Sequence, residues 1–389
     1  MNKLIESISS LFKPTKLLPA GLYHYQSPPD AEQQYRLHLR VAEDGSGLLI
    51  INASTILHLN QTATELAYHL IQGTSLENTA RTIASRYKIS REDAKKDFYH
   101  FRGKIQALIE APELDPVSVL DISRQDPYSG GPTAPYRLDC ALTYRLPEKS
   151  NPDLAPRKRV DRELSTEEWF TIITRAWNLG VPHLIFTGGE PTLRDDLIPI
   201  IQKAEENGQV TGLLTDGYKL VDEEYRNNLL ESGLDHLLFA LNPREKESWV
   251  ALQAILNEDL FTTVHITINS QILPILPQTI DQCRQYGANA ISLSTTDPKD
   301  PTLADALIKA RSMVAEADLP LKWDLPVPYS DHNPVSIELE VDQGGFPGAG
   351  RAYFYVEPDG DVLPGQGNNK VLGNMLSTDW RRIWESGEE

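Results

Sequence analysis

The chain has 389 residues, of which 40% are hydrophobic and 24% are charged, and this suits a globular protein of two or three domains. Its formal net charge of −18 argues against nucleic acid or an anionic membrane as the main partner. No apolar run reaches the roughly 18 residues of a transmembrane helix, and the first residues lack the apolar core of a signal peptide. We therefore expect a cytoplasmic protein.

Residues 1–112 are predicted to form a separate small domain. Strand-like runs come first, at 22–26, 35–41 and 47–52. Helical patterns follow, at 62–72, 76–87 and 90–110. The last of them begins at a capping box formed by Ser90 and Asp93. Three strands followed by three helices indicate a winged-helix-like α+β unit.

Residues 113–135 are rich in proline and glycine, which predicts a linker. After the linker, strands are predicted at 136–144, 183–186, 210–214, 236–241, 263–269 and 290–294, with a further extended stretch at 319–325. Helices are predicted between them, at 166–178, 195–206, 222–231, 245–256, 277–286 and 302–317. Alternating strands and helices imply a parallel sheet. Six such units are too few for a closed eight-fold barrel, so we predict a partial (β/α)6 barrel over residues 136–325.

Residues 326–389 have a different pattern and are predicted to form a short extension. Strands are predicted at 336–341 and 352–362, and Pro358-Asp359-Gly360 predicts a hairpin turn within the second. A short amphipathic helix is predicted at 378–385. The whole chain is therefore predicted to contain a small α+β domain, a partial barrel and a hairpin–helix extension.

The chain contains only two cysteines, Cys140 and Cys283. The first lies in a predicted strand and the second in a predicted helix, and both positions favour small buried hydrophobic side chains. An iron–sulfur centre requires more thiolates than two. The cysteine count therefore argues against such a centre.

The segment Thr187-Gly188-Gly189-Glu190-Pro191-Thr192-Leu193-Arg194 predicts a glycine turn between a strand and a helix. Two glycines let the backbone turn tightly and approach a ligand closely. Glu190 would lie at the C-terminal end of its strand, where α/β folds bind ligands, and a carboxylate there suits an ammonium group. The alternative is a structural turn in which Glu190 lies near a helix N-terminus.

Further short segments, together with this turn, match the motifs of a known protein family. They lie at 142–145, 165–169, 180–182, Thr215-Asp216-Gly217, 348–350, 357–363 and 372–374. Together they resemble the radical SAM family, in the branch with a C-terminal SPASM or twitch extension, over residues 136–385. The resemblance implies a partial barrel, a 4Fe–4S cluster and S-adenosylmethionine as the usual cofactors. The accumulation of motifs carries the resemblance, since each one alone is weak.

In that family three cysteines spaced C-x3-C-x2-C hold the cluster. The resemblance places these positions at Leu146, Ser150 and Asp153, and the cysteines of the extension near Pro347 and Gly365. None of these residues is cysteine, and Leu146 has no atom that can ligate iron. We therefore predict no metal centre, and no adenosyl radical generated in the family's manner.

The resemblance also implies a site for S-adenosylmethionine, in which Glu190 and the glycine turn hold the methionine ammonium. Its residues would be Gly188, Gly189, Glu190, Pro191, Thr215, Asp216 and Asn242. Asp216 stands where the family usually has asparagine, and the bonds that iron would make to the ligand are missing. We expect weak or no binding, and the alternative is that Gly188 and Glu190 preserve only the turn.

The order of elements in residues 1–112, with segments 59–66 and 90–94, resembles the PqqD-like peptide-recognition element. In that family the leader of a precursor peptide adds a strand to an exposed sheet edge. We predict this edge at 47–52, with Leu48, Leu49, Ile50 and Ile51 as the peptide-binding residues. The alternative is a winged helix used for dimerisation or DNA binding, of which the acidic charge disfavours DNA.

Three functions follow from the sequence. The first is a radical-SAM-like pseudoenzyme that binds a precursor or leader peptide and delivers it to an active radical SAM enzyme. The second is an enzyme that still binds S-adenosylmethionine or another nucleotide in the barrel and performs non-radical chemistry. The third is a true radical SAM enzyme whose cluster has atypical ligands.

Overall fold

The computed structural model describes residues 17–28, 30–53, 55–111, 133–147, 160–296, 300–321 and 348–387. The chain divides into two compact units, residues 1–132 and residues 133–389. Among the described residues, no helix is long and apolar enough to cross a membrane.

The first unit is a four-stranded antiparallel sheet with three helices. Its strands lie in the order β1 (Gly21–Gln26), β2 (Arg36–Val41), β3 (Gly47–Ile51) and β4 (Thr55–Leu59). Its helices are α1 (Gln61–Ile71), α2 (Leu76–Tyr87) and α3 (Arg91–Glu110). Alternate strand residues such as Leu37, Leu49 and Leu57 share one buried cluster with the helices, as expected of a sheet with one face on the core. Ser90 caps α3, as predicted, by accepting a hydrogen bond from Asp93 N at 3.0 Å.

The sequence-based prediction of this sheet was wrong in one respect, because it lacked β4. The consequence is that 47–52 is not an edge: β3 pairs with β2 on one side and β4 on the other. Leu48, Leu49, Ile50 and Ile51 therefore lie on an interior strand, and a peptide cannot add to it. The β3–β4 hairpin turns through Asn52 and Ala53, both with positive φ, and an Asn-Ala pair lacks the glycine that usually marks such a turn.

The second unit contains six parallel strands alternating with helices, which confirms the partial barrel. The strands are β5 (Arg137–Thr143), β6 (His183–Gly188), β7 (Val210–Thr215), β8 (His236–Ala240), β9 (Phe261–Ile268) and β10 (Ala290–Thr295). The helices are α4 (Thr166–Asn178), α5 (Leu197–Asn207), α6 (Glu223–Leu230), α7 (Lys246–Leu256), α8 (Leu276–Gln285) and α9 (Pro301–Glu316). Because parallel strands present the same end at one edge of the sheet, the segments after β5 to β10 lie on one side of the unit.

The C-terminal residues continue the same sheet. Strands β11 (Tyr353–Val356), β12 (Asp361–Leu363) and β13 (Gly373–Asn374) give a nine-stranded order β10-β9-β8-β7-β6-β5-β11-β12-β13. β11 runs parallel to β5, and β12 returns antiparallel to β11 through the predicted turn at 358–360. Helix α10 (Trp380–Gly387) follows and buries Ile383. The hairpin thus adds strands beside β5, at the end of the parallel series.

Both cysteines are free and buried, as predicted: Cys140 lies on β5 and Cys283 on α8. Each belongs to the apolar cluster that the strands share with the helices. The predicted strand at 336–341, most of the linker at 113–135, and Ser150, Asp153 and Pro347 lie outside the described residues. The domain boundaries at 112, 135 and 325 stay predictions.

Candidate functional site

The glycine turn packs directly against the backbone that leaves β5. Gly189 N donates to Thr143 O at 2.6 Å, and Glu190 N donates to Arg145 O at 2.8 Å. A Cβ atom on Gly188 would lie 2.2 Å from Thr143 O, and one on Gly189 would lie 2.1 Å from Arg145 O. Gly188 also has a φ of +126°, which L side chains rarely adopt. Both glycines are therefore required for the close approach of two backbones.

We expect Gly189→Ala to destabilise the second unit by about 1–3 kcal/mol, because the added methyl group would overlap a backbone carbonyl that cannot rotate away. Urea denaturation measures the change in free energy of unfolding. Gly103→Ala is the control, since Gly103 lies inside α3 with no atom within 4 Å of the added Cβ, and alanine there should be stabilising by up to about 1 kcal/mol. Equal effects of the two substitutions would contradict the role of the close approach.

Arg194 fixes the end of this turn to its surroundings. It is 7% exposed, and its guanidinium donates to Leu142 O and Leu164 O, each at 3.0 Å. The same group makes a two-pronged ion pair with Asp196, with distances of 2.8 and 2.7 Å. One buried side chain thus joins the end of β5, the approach to α4 and the start of α5, and so holds the turn in place.

Glu190 lies at the centre of the site and is 1% exposed. Its Oε1 accepts hydrogen bonds from Thr192 N at 3.0 Å, Thr192 Oγ1 at 2.5 Å and Thr215 Oγ1 at 2.7 Å. Its Oε2 accepts one from Asp216 N at 2.9 Å. The carboxylate thus caps the short 3-10 helix 191–193 and ties it to the end of β7. Both interpretations of Glu190 therefore remain compatible with its position, because the carboxylate is a cap and also lies at a strand end.

Asp216 follows β7 and places a second buried carboxyl group beside Glu190. It is 7% exposed, and its Oδ1 accepts a hydrogen bond from Tyr218 N at 3.1 Å. Burial raises the pKa of the Asp216 carboxyl, and the neighbouring Glu190 charge raises it further. The neutral, protonated form of Asp216 is therefore favoured over a wider pH range than for an exposed aspartate.

The side chains around the pair come from the segments after β7 and before α7. The Tyr218 hydroxyl donates to the Glu245 carboxylate. Lys219 Nζ donates to Thr192 O at 2.9 Å and lies 4.5 Å from the centre of the Tyr225 ring. Burial, followed by the charge of Glu190, raises the pKa of the Tyr225 hydroxyl. The site thus combines carboxyl groups with hydroxyl groups at the C-terminal ends of β6 and β7.

Comparison with known proteins agrees with this geometry. Residues 140–242, which include the turn and the end of β7, match the model of the Radical SAM superfamily. The matched residues lie within the barrel, from β5 to the residues after β8. The chain is similar to PqqA peptide cyclases of Granulibacter bethesdensis, with 28% identity over 59% of this chain and 67% of the relative, and of Bradyrhizobium diazoefficiens, with 27% identity over 64% of this chain and 72% of the relative.

Solved structures share the fold of both units. SuiB of Streptococcus suis bound to the precursor peptide SuiA aligns with a TM-score of 0.58 and 14% identity, covering 89% of this chain and 86% of that chain. SuiB bound to S-adenosylmethionine aligns with a TM-score of 0.57 and 15% identity, covering 91% of this chain and 87% of that chain. At such identities the likeness shows the fold alone.

The residues of this barrel do not fit the iron–sulfur cluster that the resemblance to the radical SAM family implies. Leu146 is a hydrocarbon side chain at the first ligand position, and both cysteines are 0% exposed within the apolar core. Burial raises the pKa of the Cys140 thiol, and it raises that of Cys283 to about 12, so neither presents a thiolate. The three thiolates that the family's cluster requires are therefore missing, since the sequence has only two cysteines and both are buried.

The chain instead makes hydrogen bonds and ion pairs where β5 ends. Thr143 Oγ1 donates to Glu163, which also pairs with Arg145 Nε at 3.4 Å. The Tyr144 hydroxyl donates to Glu357 Oε1 at 3.0 Å and so joins β5 to the hairpin. These contacts give the end of β5 a structural role.

Two of the predicted site residues have local roles in the structure. Asn242 is exposed and bonds within its own turn, accepting from Arg244 N at 3.3 Å. Pro191 begins the 3-10 helix and contributes geometry, not a polar group. Thr192 and Tyr225 belong to the site but were not predicted as binding residues. Thr192 donates hydrogen bonds to Glu190 within a local turn. Tyr225 is affected by the charge of Glu190 only because of tertiary packing.

His265 is a hydrogen-bonded core residue of the barrel sheet. It is 1% exposed on β9, with Nδ1 3.0 Å from Ser292 Oγ and Nε2 2.9 Å from Ser294 Oγ. Burial lowers the pKa of the imidazole to about 3, so the ring is neutral at physiological pH. Its ring nitrogens are both engaged within the barrel sheet.

Proposed function

We propose that this protein is a radical-SAM-like pseudoenzyme that binds a precursor peptide and acts as a scaffold in the maturation of a ribosomally made peptide. The observation that carries the proposal is the lack of cysteine ligands for an iron–sulfur cluster. Leu146 occupies the first ligand position, and both cysteines are buried in the core. The similarity to PqqA peptide cyclases and the fold shared with a precursor-bound SuiB support a peptide as the partner.

We place the peptide at the small sheet, by addition of a strand to an open edge. Since β3 is interior, the edges among the described strands are β1 and β4. On β1, Tyr23 packs edge-on against Tyr68 at 4.8 Å, so this side already has an aromatic neighbour. On β4, His58 Nε2 is buried and has no hydrogen-bond partner among the described residues. This unsatisfied donor or acceptor favours β4 as the docking edge.

The test uses the full-length protein and a candidate precursor peptide, chosen from the short open reading frames that flank its gene. We expect calorimetry to detect binding, and hydrogen exchange to slow at residues 55–59, because a new strand would pair their outward amides. His58→Ala should weaken binding several-fold, whereas the matched substitution His24→Ala, on exposed β1, should not. Slowed exchange confined to β1 would move the site to the other edge, and absence of binding would overturn the scaffold proposal.

The scaffold proposal includes delivery of the peptide to an active radical SAM enzyme. A pull-down with a candidate partner, a radical SAM enzyme that has an intact C-x3-C-x2-C motif, with and without the precursor peptide, tests this step. We expect capture to depend on the peptide. Capture of equal amounts without the peptide would show that the partner enzyme binds independently of the peptide, and it would contradict the delivery step.

A second candidate function is retained binding of S-adenosylmethionine or another nucleotide with non-radical chemistry. The observation that favours it is the preserved Glu190 turn, whose carboxylate is held at a strand end by four hydrogen bonds. Calorimetry with S-adenosylmethionine and the variant Glu190→Gln would test it. Binding that is lost in the variant would favour this candidate, and its absence would leave the turn with a structural role.

A further inference from the structure

Tyr99 is a large aromatic side chain that is mostly exposed to solvent on helix α3. Its exposed fraction is 76%, compared with 59% for Ile308, another exposed apolar side chain. The buried residues of α3 form the opposite side of the helix and are Ala94, Phe98, Phe101, Ile105, Leu108 and Ile109. The side that carries Tyr99 therefore faces solvent. Tyrosine combines a large apolar surface with a polar tip, and it is enriched at protein interfaces for this reason.

Gly103 follows Tyr99 by one helical turn, and the fold does not require a glycine there. Its φ is not positive, and a Cβ atom added to it would meet no atom within 4 Å. Glycine inside a helix is less stable than alanine. A helical side chain lies over the turn that precedes it, so a larger residue at 103 would lean towards Tyr99. The glycine therefore leaves one side of the tyrosine ring open.

Basic side chains surround Tyr99, although the whole chain has a net charge of −18. The charged residues of segment 95–104 are Lys95, Lys96, Asp97, Arg102 and Lys104. Lys96 and Arg102 lie three residues before and after Tyr99, so both are its neighbours on the helix surface. Among the described residues, neither Lys96 nor Arg102 makes an ion pair within 4.0 Å. The aromatic ring thus lies within a local positive field.

We propose that this solvent-facing side of α3 is a docking surface for an acidic segment of a partner protein. The segment places an apolar side chain against the Tyr99 ring, beside Gly103, and its carboxylates lie near Lys96 and Arg102. The proposal goes beyond the scaffold function, because it concerns a second partner and uses side chains of a helix. Addition of a peptide strand instead uses the backbone of a sheet edge.

Charge decides between the possible occupants of this surface. A second copy of the chain also carries a charge of −18, so two copies repel each other. Nucleic acid is repelled in the same way, and it needs several basic contacts to release its counterions. A short acidic segment meets mainly the charges close to it, because charges beyond about 8 Å are screened at physiological salt. The local basic residues therefore favour an acidic segment.

The side chains of the surface contribute to binding in different ways. An aromatic anchor that becomes buried at the centre of an interface supplies a large share of the affinity. Basic residues around the anchor steer the partner and fix its orientation, and their effect falls as salt rises. Tyr99 should therefore dominate the affinity, and Lys96 and Arg102 should dominate its dependence on salt.

The experiment uses calorimetry with the full-length protein and a short synthetic peptide in which glutamates flank one tryptophan. We expect a dissociation constant below about 1 mM, with tighter binding at low salt than at high salt. Two control peptides separate the contributions. Replacement of the tryptophan by alanine should weaken binding about tenfold, and replacement of the glutamates by lysines should abolish it.

Variants of the surface test the assignment to α3. Tyr99→Ala should weaken binding about tenfold, and Arg102→Glu should weaken it several-fold at low salt. Gly103→Ala should weaken binding even though it increases resistance to urea, since its methyl group fills the open side of the ring. Matched controls are Ile308→Ala, which removes another exposed apolar side chain, and Arg382→Glu, which reverses an exposed charge on α10. Neither control should change the affinity.

The proposal is wrong if the acidic peptide does not bind, or if it binds the Tyr99→Ala and Arg102→Glu variants as tightly as the unmodified protein. Light scattering and an oligonucleotide titration test the other occupants. Self-association that is lost in Tyr99→Ala would assign the surface to a second copy, and tighter binding of a single-stranded oligonucleotide would assign it to nucleic acid. Either result would overturn the proposal. None of these measurements uses the precursor peptide, so they are independent of the test of the scaffold function.

Discussion

Anaerobic incubation of this protein with iron and sulfide is expected to leave it without a 4Fe–4S cluster. The reason is that the chain lacks accessible thiolates to bind iron. Leu146 occupies the first ligand position, and Cys140 and Cys283 are 0% exposed. The two cysteines lie on β5 and α8, in the apolar layer between strands and helices, where burial raises the pKa of each thiol. Iron binds thiolates and not buried thiols or hydrocarbon.

Iron and sulfide analysis after desalting, together with the visible absorbance of thiolate-bound iron, measures this outcome. A radical SAM protein with an intact C-x3-C-x2-C motif, treated in parallel, shows that the procedure works. Four iron atoms per chain, with cleavage of S-adenosylmethionine on reduction, would contradict the pseudoenzyme proposal. That result would instead require a radical enzyme whose cluster has ligands other than cysteine.

Replacing Arg194 by alanine should cost about 3 kcal/mol of the free energy of unfolding of the second unit. Arg194 is 7% exposed and bonds two carbonyl groups as well as Asp196. The substitution would leave Leu142 O and Leu164 O without this donor and would remove the charge partner of Asp196. Arg194 lowers the pKa of Asp196, whose burial acts in the opposite direction, so acid should also remove part of this stabilisation.

The sign of the acid effect follows from the direction of the shift. Because the pKa of Asp196 is lower in the folded than in the unfolded protein, its contribution is present above the unfolded pKa and is lost as pH falls through the folded one. Urea denaturation at neutral and acidic pH measures both effects. Arg381→Ala is the control, since the Arg381–Glu385 pair is exposed and should contribute at most about 0.5 kcal/mol. Equal losses for the two substitutions would contradict the role assigned to Arg194.

Much of the fold could be predicted because its signals are local. The alternation of apolar runs and amphipathic helices was sufficient for the six βα units, and Pro358-Asp359-Gly360 for the hairpin. β4 was missed because the preceding turn uses Asn52 and Ala53 in left-handed conformations, which composition does not reveal. One missed strand was enough to turn an interior strand into a predicted edge.

The sequence predicts only those site residues that belong to a single short motif. Glu190 and Asp216 were found because each belongs to a short motif that ends a strand. Their contact, and the effect of the Glu190 charge on the buried hydroxyl of Tyr225, depend on the packing of separate βα units. Asn242 was predicted in the site from its position along the chain, and in the structure its side chain accepts a hydrogen bond within its own turn. Sequence thus predicts which groups approach the strand ends but not which of them meet.

The parallel pairing of β11 with β5 has a consequence for synthesis of the protein on the ribosome. β5 is the first strand of its sheet to emerge, and β11, which covers one of its edges, is made roughly 200 residues later, or about 10–40 s at usual elongation rates. During that time the free edge of β5 can pair with other chains. Folding of this unit is therefore completed after translation of the hairpin, and the nascent chain is a natural client for chaperones until then.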